Sequence, residues 1–339
     1  MNEPVSTIPG ITIKRLLGEG GMAHAYLVDY AGQPAVLKVA KPSFNEYIAH
    51  EAQILSQLDH PNIIRFISFP NSEPTQSMII DGEARQCLLL EYQAGGSLAE
   101  FLDTKRLTRK QILNVIEQVA KALDFAHEKG IVHLDVKPSN ILFDKKHKQV
   151  VLADFSVADL ENFTEVHDRL GTTLYIAPER FDGENTHPSM DIFSLGVVIA
   201  QILYSDDSIY ISDNTEVFGR PNILKLSKLK NMIMEMPKEI SKFLEKAIHE
   251  DPKQRYKNTY DLFQSLRIVL PWKILQDLLL TVYKNKRKKD IGEIVKQNLV
   301  SSQKVTRNYS SSSLPEYSYA KIVFTEGDNN EKLLDCIII

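Results

Sequence analysis

Apolar and small residues alternate along residues 11–40 around a cluster of glycines, a pattern that predicts two strands joined by a tight loop and a third strand at 35–40. The period then changes. Ile48, Ile54, Leu55 and Leu58 recur at helical spacing, so a helix is expected over about 44–58, ended by His60-Pro61-Asn62. Residues 63–69 and 77–93 return to strand-like patterning, with Asp81-Gly82 as the turn signal. From Ser97 onward the pattern is mostly helical: apolar periodicity runs through 108–128, 189–204, 237–249 and 258–269, interrupted by short β-type runs at 141–143 and 150–153. The expected fold class is therefore α+β, with a small β-rich lobe at about 10–93 carrying one main helix and a larger, mainly α-helical lobe at about 97–270. Residues 271–339 read as one further amphipathic stretch to about 283, a basic run KNKRKK at 284–289, and a polar tail with four serines at 310–313.

Bulk properties narrow the function classes. In 339 residues, 43% are hydrophobic and 25% charged, which is an ordinary globular composition. A net charge of −4 argues against a nucleic-acid partner, which calls for a concentrated basic excess. Cys87 and Cys336 are too few for a disulfide framework, so a reducing compartment fits. The N-terminus has neither a basic start nor an apolar stretch, and the longest apolar runs, such as 195–200, fall far short of the roughly 20 residues of a membrane span. A cytoplasmic chain without a signal peptide is expected.

The first chemical constellation is LLGEGGMAHAY at 16–26, followed by Lys38 in AVLK. Glycines 18, 20 and 21 let backbone amides close over phosphates without side-chain clashes, and a lysine on the next strand neutralises phosphate charge. Taken alone, the glycine cluster reads equally as a plain hairpin turn, and Lys38 as a solvated strand-edge lysine. Glu51 on the predicted helix changes that balance, because a lysine–glutamate ion pair would hold the ammonium against the α- and β-phosphates.

More specific is HLDVKPSN at 133–140, which puts Asp135, Lys137 and Asn140 in one short loop, with Asp154 following in ADFS at 153–156. Phosphoryl transfer asks a protein mainly for positioning and charge neutralisation. Asp135 can accept or orient a substrate hydroxyl, Asn140 and Asp154 offer hard oxygen ligands for Mg²⁺, and Lys137 can offset charge on the moving phosphoryl.

With these motifs stand LLLEYQAGGSL (88–98), GTTLYIAPE (171–179), DIFSLG (191–196) and DPKQR (251–255), in that order along the chain. Together they resemble the eukaryotic-type (Hanks-type) serine/threonine protein kinase family, and the glycine loop and GTTLYIAPE look most like its bacterial branch. The resemblance implies a bilobal fold with ATP between the lobes, and Ser/Thr-bearing proteins as substrates. It places Leu17, Gly18, Glu19, Gly20 and Gly21 around the nucleotide, the adenine edge on the backbone of Glu91 and Gln93, and Leu90 as gatekeeper. Glu179 should pair with Arg255, and Asp191 should brace the catalytic loop. Lys137 and Thr172 favour serine/threonine over tyrosine as the acceptor.

The chain also departs from the family pattern. Ala23 replaces the third loop glycine, and Ser156 the glycine of the DFG segment. Ala25 and Val36 exchange the sizes of the family's valine and alanine, and the pair is expected to roof the adenine over Leu142. Leu134 stands where many kinases carry an arginine, and Asp168 where the activating phosphosite is common, which suggests activity without activation-loop phosphorylation. The competing readings are a pseudokinase serving as an ATP-binding scaffold, against which stand the retained Lys38, Asp135, Asn140 and Asp154, and a small-molecule kinase of similar fold. The final Cys336-Ile337-Ile338-Ile339 has the CaaX form, so peripheral membrane association through a prenylated Cys336 and the KNKRKK run is the tail's functional reading. That modification needs a eukaryotic cytosol, and for a bacterial gene it would imply action inside a host cell. The structural reading of the same residues is an apolar tail that packs on the body or adds a strand.

Overall fold

The computed structural model describes residues 8, 10–69, 74–80, 82–104, 107–158, 173–181, 185–203 and 223–270, and the backbone of 318–326 and 330–338. The chain divides into two units, Met1–Ile268 and Val269–Ile339.

In the first unit, β1 (Ile11–Glu19), β2 (Ala23–Tyr30), β3 (Gln33–Ala40), β4 (Gln76–Ile80) and β5 (Glu83–Glu91) form one antiparallel sheet of order β1-β2-β3-β5-β4. Register sorts its residues by function. Ala25 pairs with Lys38, Leu27 with Val36, Val36 with Leu90 and Lys38 with Leu88, so Ala25, Val36, Lys38 and Leu90 share one face. The opposite face carries Val28, Ala35, Leu37, Val39, Cys87 and Leu89, which close with Phe69 and Met78 into the lobe's core. Between β3 and β4 lies α1 (Asn45–Leu55), whose buried face is Ile48, Glu51, Ala52, Ile54 and Leu55.

The large lobe begins with α2 (Leu98–Thr104) and α3 (Arg109–Glu128). Thr108 and Gln111 start α3 by reciprocal capping: the Thr108 hydroxyl accepts from the Gln111 amide at 3.3 Å, and Gln111 Oε1 accepts from the Thr108 amide at 2.9 Å. Two short strands, β6 (Ile141–Phe143) and β7 (Val150–Leu152), follow and pair antiparallel. The helix Ser189–Leu203 is buried around almost its whole circumference and forms the lobe's axis. Gly196 permits this, because a Cβ there would stand 2.8 Å from the Ala247 Cβ. Helices Ile223–Met234, Lys238–Ala247 and 259–270 complete the lobe. Thr259 ties the last of them to α3, its hydroxyl donating to the Ala120 carbonyl at 2.8 Å.

Two expectations are corrected. Residues 63–69 do not form a strand: they make only isolated bridges, Ile63 to Leu152 and Phe66 to Leu90. The segment splits its hydrogen bonds between two lobes. Ile64 donates to the Leu152 carbonyl and Leu152 to that of Asn62 (2.9 and 2.8 Å), while Ile67 donates to Leu89 and Glu91 to Arg65 (2.8 and 2.9 Å). Likewise, the polar tail contains regular structure. In the second unit, β8 (Ser318–Glu326) and β9 (Asn330–Ile338) pair antiparallel from Ser318 opposite Ile338 to Glu326 opposite Asn330. The backbone of Cys336 therefore lies in a strand, opposite Ala320. KNKRKK lies outside the described residues. Among the described residues no helix is long and apolar enough to cross a membrane.

Candidate active site

Three elements deliver charge to one point. Lys38 projects from β3, Glu51 from α1, and Asp154 from the two residues past β7. The Lys38 ammonium lies 2.6 Å from Glu51 Oε2 and 2.7 Å from Asp154 Oδ1. Burial works against the Lys38 charge, but the carboxylates of Asp154 and Glu51 outweigh it and raise its pKa above the ordinary lysine value. Burial pushes the Glu51 carboxyl up, with Lys38 pulling the other way. For Asp154 the balance reverses: burial would raise it, yet the charges of Lys38 and then Lys137 hold it well below the usual carboxylate range.

A second group adjoins the first. Lys137 Nζ is 3.0 Å from Asp135 Oδ2, and the Asn140 amide donates to the same oxygen at 2.9 Å and to the Asp135 carbonyl at 2.8 Å. With both Asn140 hydrogens committed, its side-chain oxygen is the atom left to face a cation. The groups are joined through the backbone, since the Ala153 amide donates to the Asn140 carbonyl at 2.8 Å. His133, fully buried, adds a second link: its Nδ1 accepts from the Asp135 amide and its Nε2 donates to the Ala153 carbonyl, each at 3.1 Å. Those roles require the neutral ring, and burial lowers its pKa accordingly.

Beneath the loop sits Asp191, wholly buried, accepting from the amides of His133 (2.8 Å) and Leu134 (2.7 Å) and from His127 Nε2 (2.8 Å). Leu134 and Asp154 both hold φ in the left-handed region, +66° and +67°. Strain of this kind persists only where the surroundings impose it, and here the imposing contacts are the Asp191 carboxylate and the Lys38 ammonium.

Gly20 closes the β1–β2 turn by donating to the Ala23 carbonyl at 2.9 Å. Glu19 at the turn is held 2.7 Å from Lys41 and 3.4 Å from His24. A Cβ on Gly18 would meet nothing within 4 Å, so the protein's own packing does not demand glycine there. Leu17, Ala25, Val36, Gln93 and Leu142 are half-buried, Leu90 is buried, and Glu91 and Gly21 are exposed. Past β5, Gly95 is obligatory: a Cβ would lie 2.2 Å from the Asp144 carbonyl oxygen.

Asn140 and Asp154 suit Mg²⁺, which takes one or two hard protein oxygens and completes its shell with phosphates and water. Among the described residues no cluster of three His, Cys, Asp or Glu competes for a metal. Glu179 and Arg255 pair through two parallel bonds of 2.6 and 2.7 Å. Asp168, Gly171 and Thr172 lie outside the described residues. Sequence reasoning did not find His50, whose Nε2 lies 2.8 Å from the Ala158 carbonyl, or His127; no local motif marks either.

A strand lysine, a helix glutamate and two acidic loops meeting between a β lobe and a helical lobe are the arrangement of the bilobal kinase fold. The family profile "Protein kinase domain" matches residues 11–265, and the chain belongs to that family. Among its relatives, serine/threonine-protein kinase PrkC of Bacillus subtilis is 28% identical over 262 residues, covering 74% of this chain and 39% of PrkC. Serine/threonine-protein kinase PknA of Mycobacterium tuberculosis is 35% identical over 199 residues, covering 55% of this chain and 44% of PknA. The chain thus matches less than half the length of either. The crystal structure of the Mycobacterium tuberculosis PknI kinase domain superposes with a TM-score of 0.56 at 21% identity, covering 77% of this chain and 97% of that one, a likeness of fold.

Proposed function

We propose that this chain is a serine/threonine protein kinase that transfers the γ-phosphoryl group of ATP, with Mg²⁺, to protein hydroxyls. The observation that carries the reading is the meeting of Lys38, Glu51 and Asp154 at 2.6–2.7 Å beside the Asp135–Lys137–Asn140 group. Lys38, fixed by Glu51, holds the α- and β-phosphates. Asp154 and Asn140 hold Mg²⁺, which when bound neutralises phosphate charge and orients the γ-phosphoryl. Oδ2 of Asp135 is engaged by Lys137 and Asn140, so Oδ1 receives the substrate hydroxyl's proton. As it does, the hydroxyl oxygen bonds to the γ-phosphorus and the bond to the β,γ-bridging oxygen breaks. Lys137 offsets the charge on the group in transit. Leu17, Ala25, Val36, Leu90 and Leu142 enclose the adenine, whose edge meets the backbone of Glu91 and Gln93, while Gly18, Glu19, Gly20 and Gly21 cover the phosphates. The acceptor class rests on Lys137 within HLDVKPSN and on the kind of enzyme the relatives are named for.

Incubating the purified protein with labelled ATP, Mg²⁺ and a generic basic protein tests this. Label on serine or threonine with wild type, and none with Asp154→Ala, is the expected result; an unlabelled wild type would leave a scaffold.

The finer part of the proposal is independence from activation-loop phosphorylation. Leu134 has no charge to gather a phosphate, and its backbone is already held by Asp191. Phosphatase treatment is expected to change the rate by less than about twofold, against the 1–3 kcal/mol of a typical allosteric coupling.

A further inference from the structure

The Ser156 hydroxyl is buried and donates to Asp154 Oδ1 at 2.7 Å, the oxygen that Lys38 also reaches at 2.7 Å. Two donors on one carboxylate oxygen fix the plane of the group. In the family pattern this position is a glycine, which has no side chain to contribute. We propose that Ser156 is a positioning residue for Asp154: its hydroxyl commits Oδ1 and thereby presents Oδ2 to the Mg²⁺ of the phosphoryl-transfer site. The proposal rests on Asp154 holding that cation, as proposed above.

The same bond governs the segment's conformation. Asp154 stands at φ +67°, a region an ordinary side chain adopts only when held there. Ser156 closes a link from residue i+2 back to that side chain, on top of the Lys38 contact that reaches it from the small lobe. Phe155 between them is wholly buried, with its ring edge-on to His133 at a centroid distance of 4.5 Å. If the segment inverted, Asp154 would leave Lys38 and the Ser156 hydroxyl would lose the acceptor it has here. Glycine would lose nothing at that step and would gain backbone freedom. Serine thus biases the segment toward the arrangement seen here, before any nucleotide arrives, and the cation finds a carboxylate already aimed.

Two measurements on the 339-residue chain test this, neither of them turnover. ADP affinity is measured by calorimetry with and without Mg²⁺ for wild type, Ser156→Ala, Ser156→Gly and Asp154→Asn. In the unliganded proteins, amide hydrogen exchange is followed over residues 154–158. In Ser156→Ala the Mg²⁺-free affinity stays at the wild-type value, while the gain on adding Mg²⁺ falls about tenfold, the scale of one hydrogen bond to a charged group. Exchange over 154–158 rises in Ser156→Ala and further in Ser156→Gly. An unchanged Mg²⁺ gain, or unchanged exchange, overturns the inference. Asp154→Asn separates the two levels: if it abolishes the Mg²⁺ gain while Ser156→Ala preserves it, Asp154 keeps its role and Ser156 loses this one. A full Mg²⁺ gain in Asp154→Asn would remove both.

Discussion

Two buried glutamates of this chain each face a cation, and the contrast between them separates fastening from function. Arg255 grips Glu179 with two parallel bonds, donates to the carbonyls of His249, Ser189 and Glu250 at 2.7, 3.0 and 3.3 Å, and lies over the Phe193 ring at 5.0 Å. Every direction of the guanidinium is used. Glu51 by contrast meets Lys38 through one oxygen, the ammonium is shared with Asp154, and among the described residues the buried Glu51 Oε1 has no side-chain hydrogen-bond partner. The first pair is over-determined and has one arrangement. The second is under-determined, drawn from three separate elements, and can be parted by a small movement of α1. Equal charge and equal burial therefore do not mean equal purpose; the number of satisfied directions decides.

The largest effect is expected from Glu179→Ala, which leaves Arg255 buried and uncompensated. A loss of about 3–5 kcal/mol in urea unfolding is the expected outcome. Glu51→Gln should do the opposite: kcat/KM falls about 10- to 100-fold, or roughly 1.4–2.7 kcal/mol, with the urea midpoint almost unmoved. A stability loss matching that of Glu179→Ala would erase the distinction. The smallest effect concerns Asp191, which resembles the Arg255 arrangement in accepting three donors. Burial would raise its carboxyl, but His127 and then His133 hold it below the ordinary 3.8. Its folded pKa lies below its unfolded one, so the stability its ionised form contributes is whole above pH 3.8 and is lost as pH falls through the folded value. Asp191→Asn should thus cost about 1–2 kcal/mol near pH 7, and the gap to wild type should narrow on acidification. A gap that widened toward acid would contradict the assignment of that charge.

What could be read in the sequence was local. The glycine loop, the switch to helical period at about residue 44, and the residue types of HLDVKPSN are each set by residues a few positions apart, and the structure builds the elements the first two announce. Harder to read were features made by distant partners. IIRFISF at 63–69 has strand-like composition, but its hydrogen bonds go to β7 and then to β5, so no ladder forms. The helix Ile223–Met234 was not anticipated, although Leu226, Leu229 and Ile233 recur at its spacing. At the hairpin, Tyr319–Phe324 and Leu333–Ile338 carry strand patterning that the polar residues around them hid. In the site, the residue types were legible, whereas the Ser156 bond depends on a backbone angle at Asp154 that no composition announces.

The segment after α1 carries one further consequence. Asn62 donates through its side chain to the Val150 carbonyl and to Gln118, each at 2.8 Å, and its neighbours are stitched to β7 on one side and to β5 on the other. Here the small lobe is riveted to the large one. Any widening of the cleft must swing about this fulcrum, so the glycine turn at the far edge sweeps a wide arc while the base of α1 scarcely stirs.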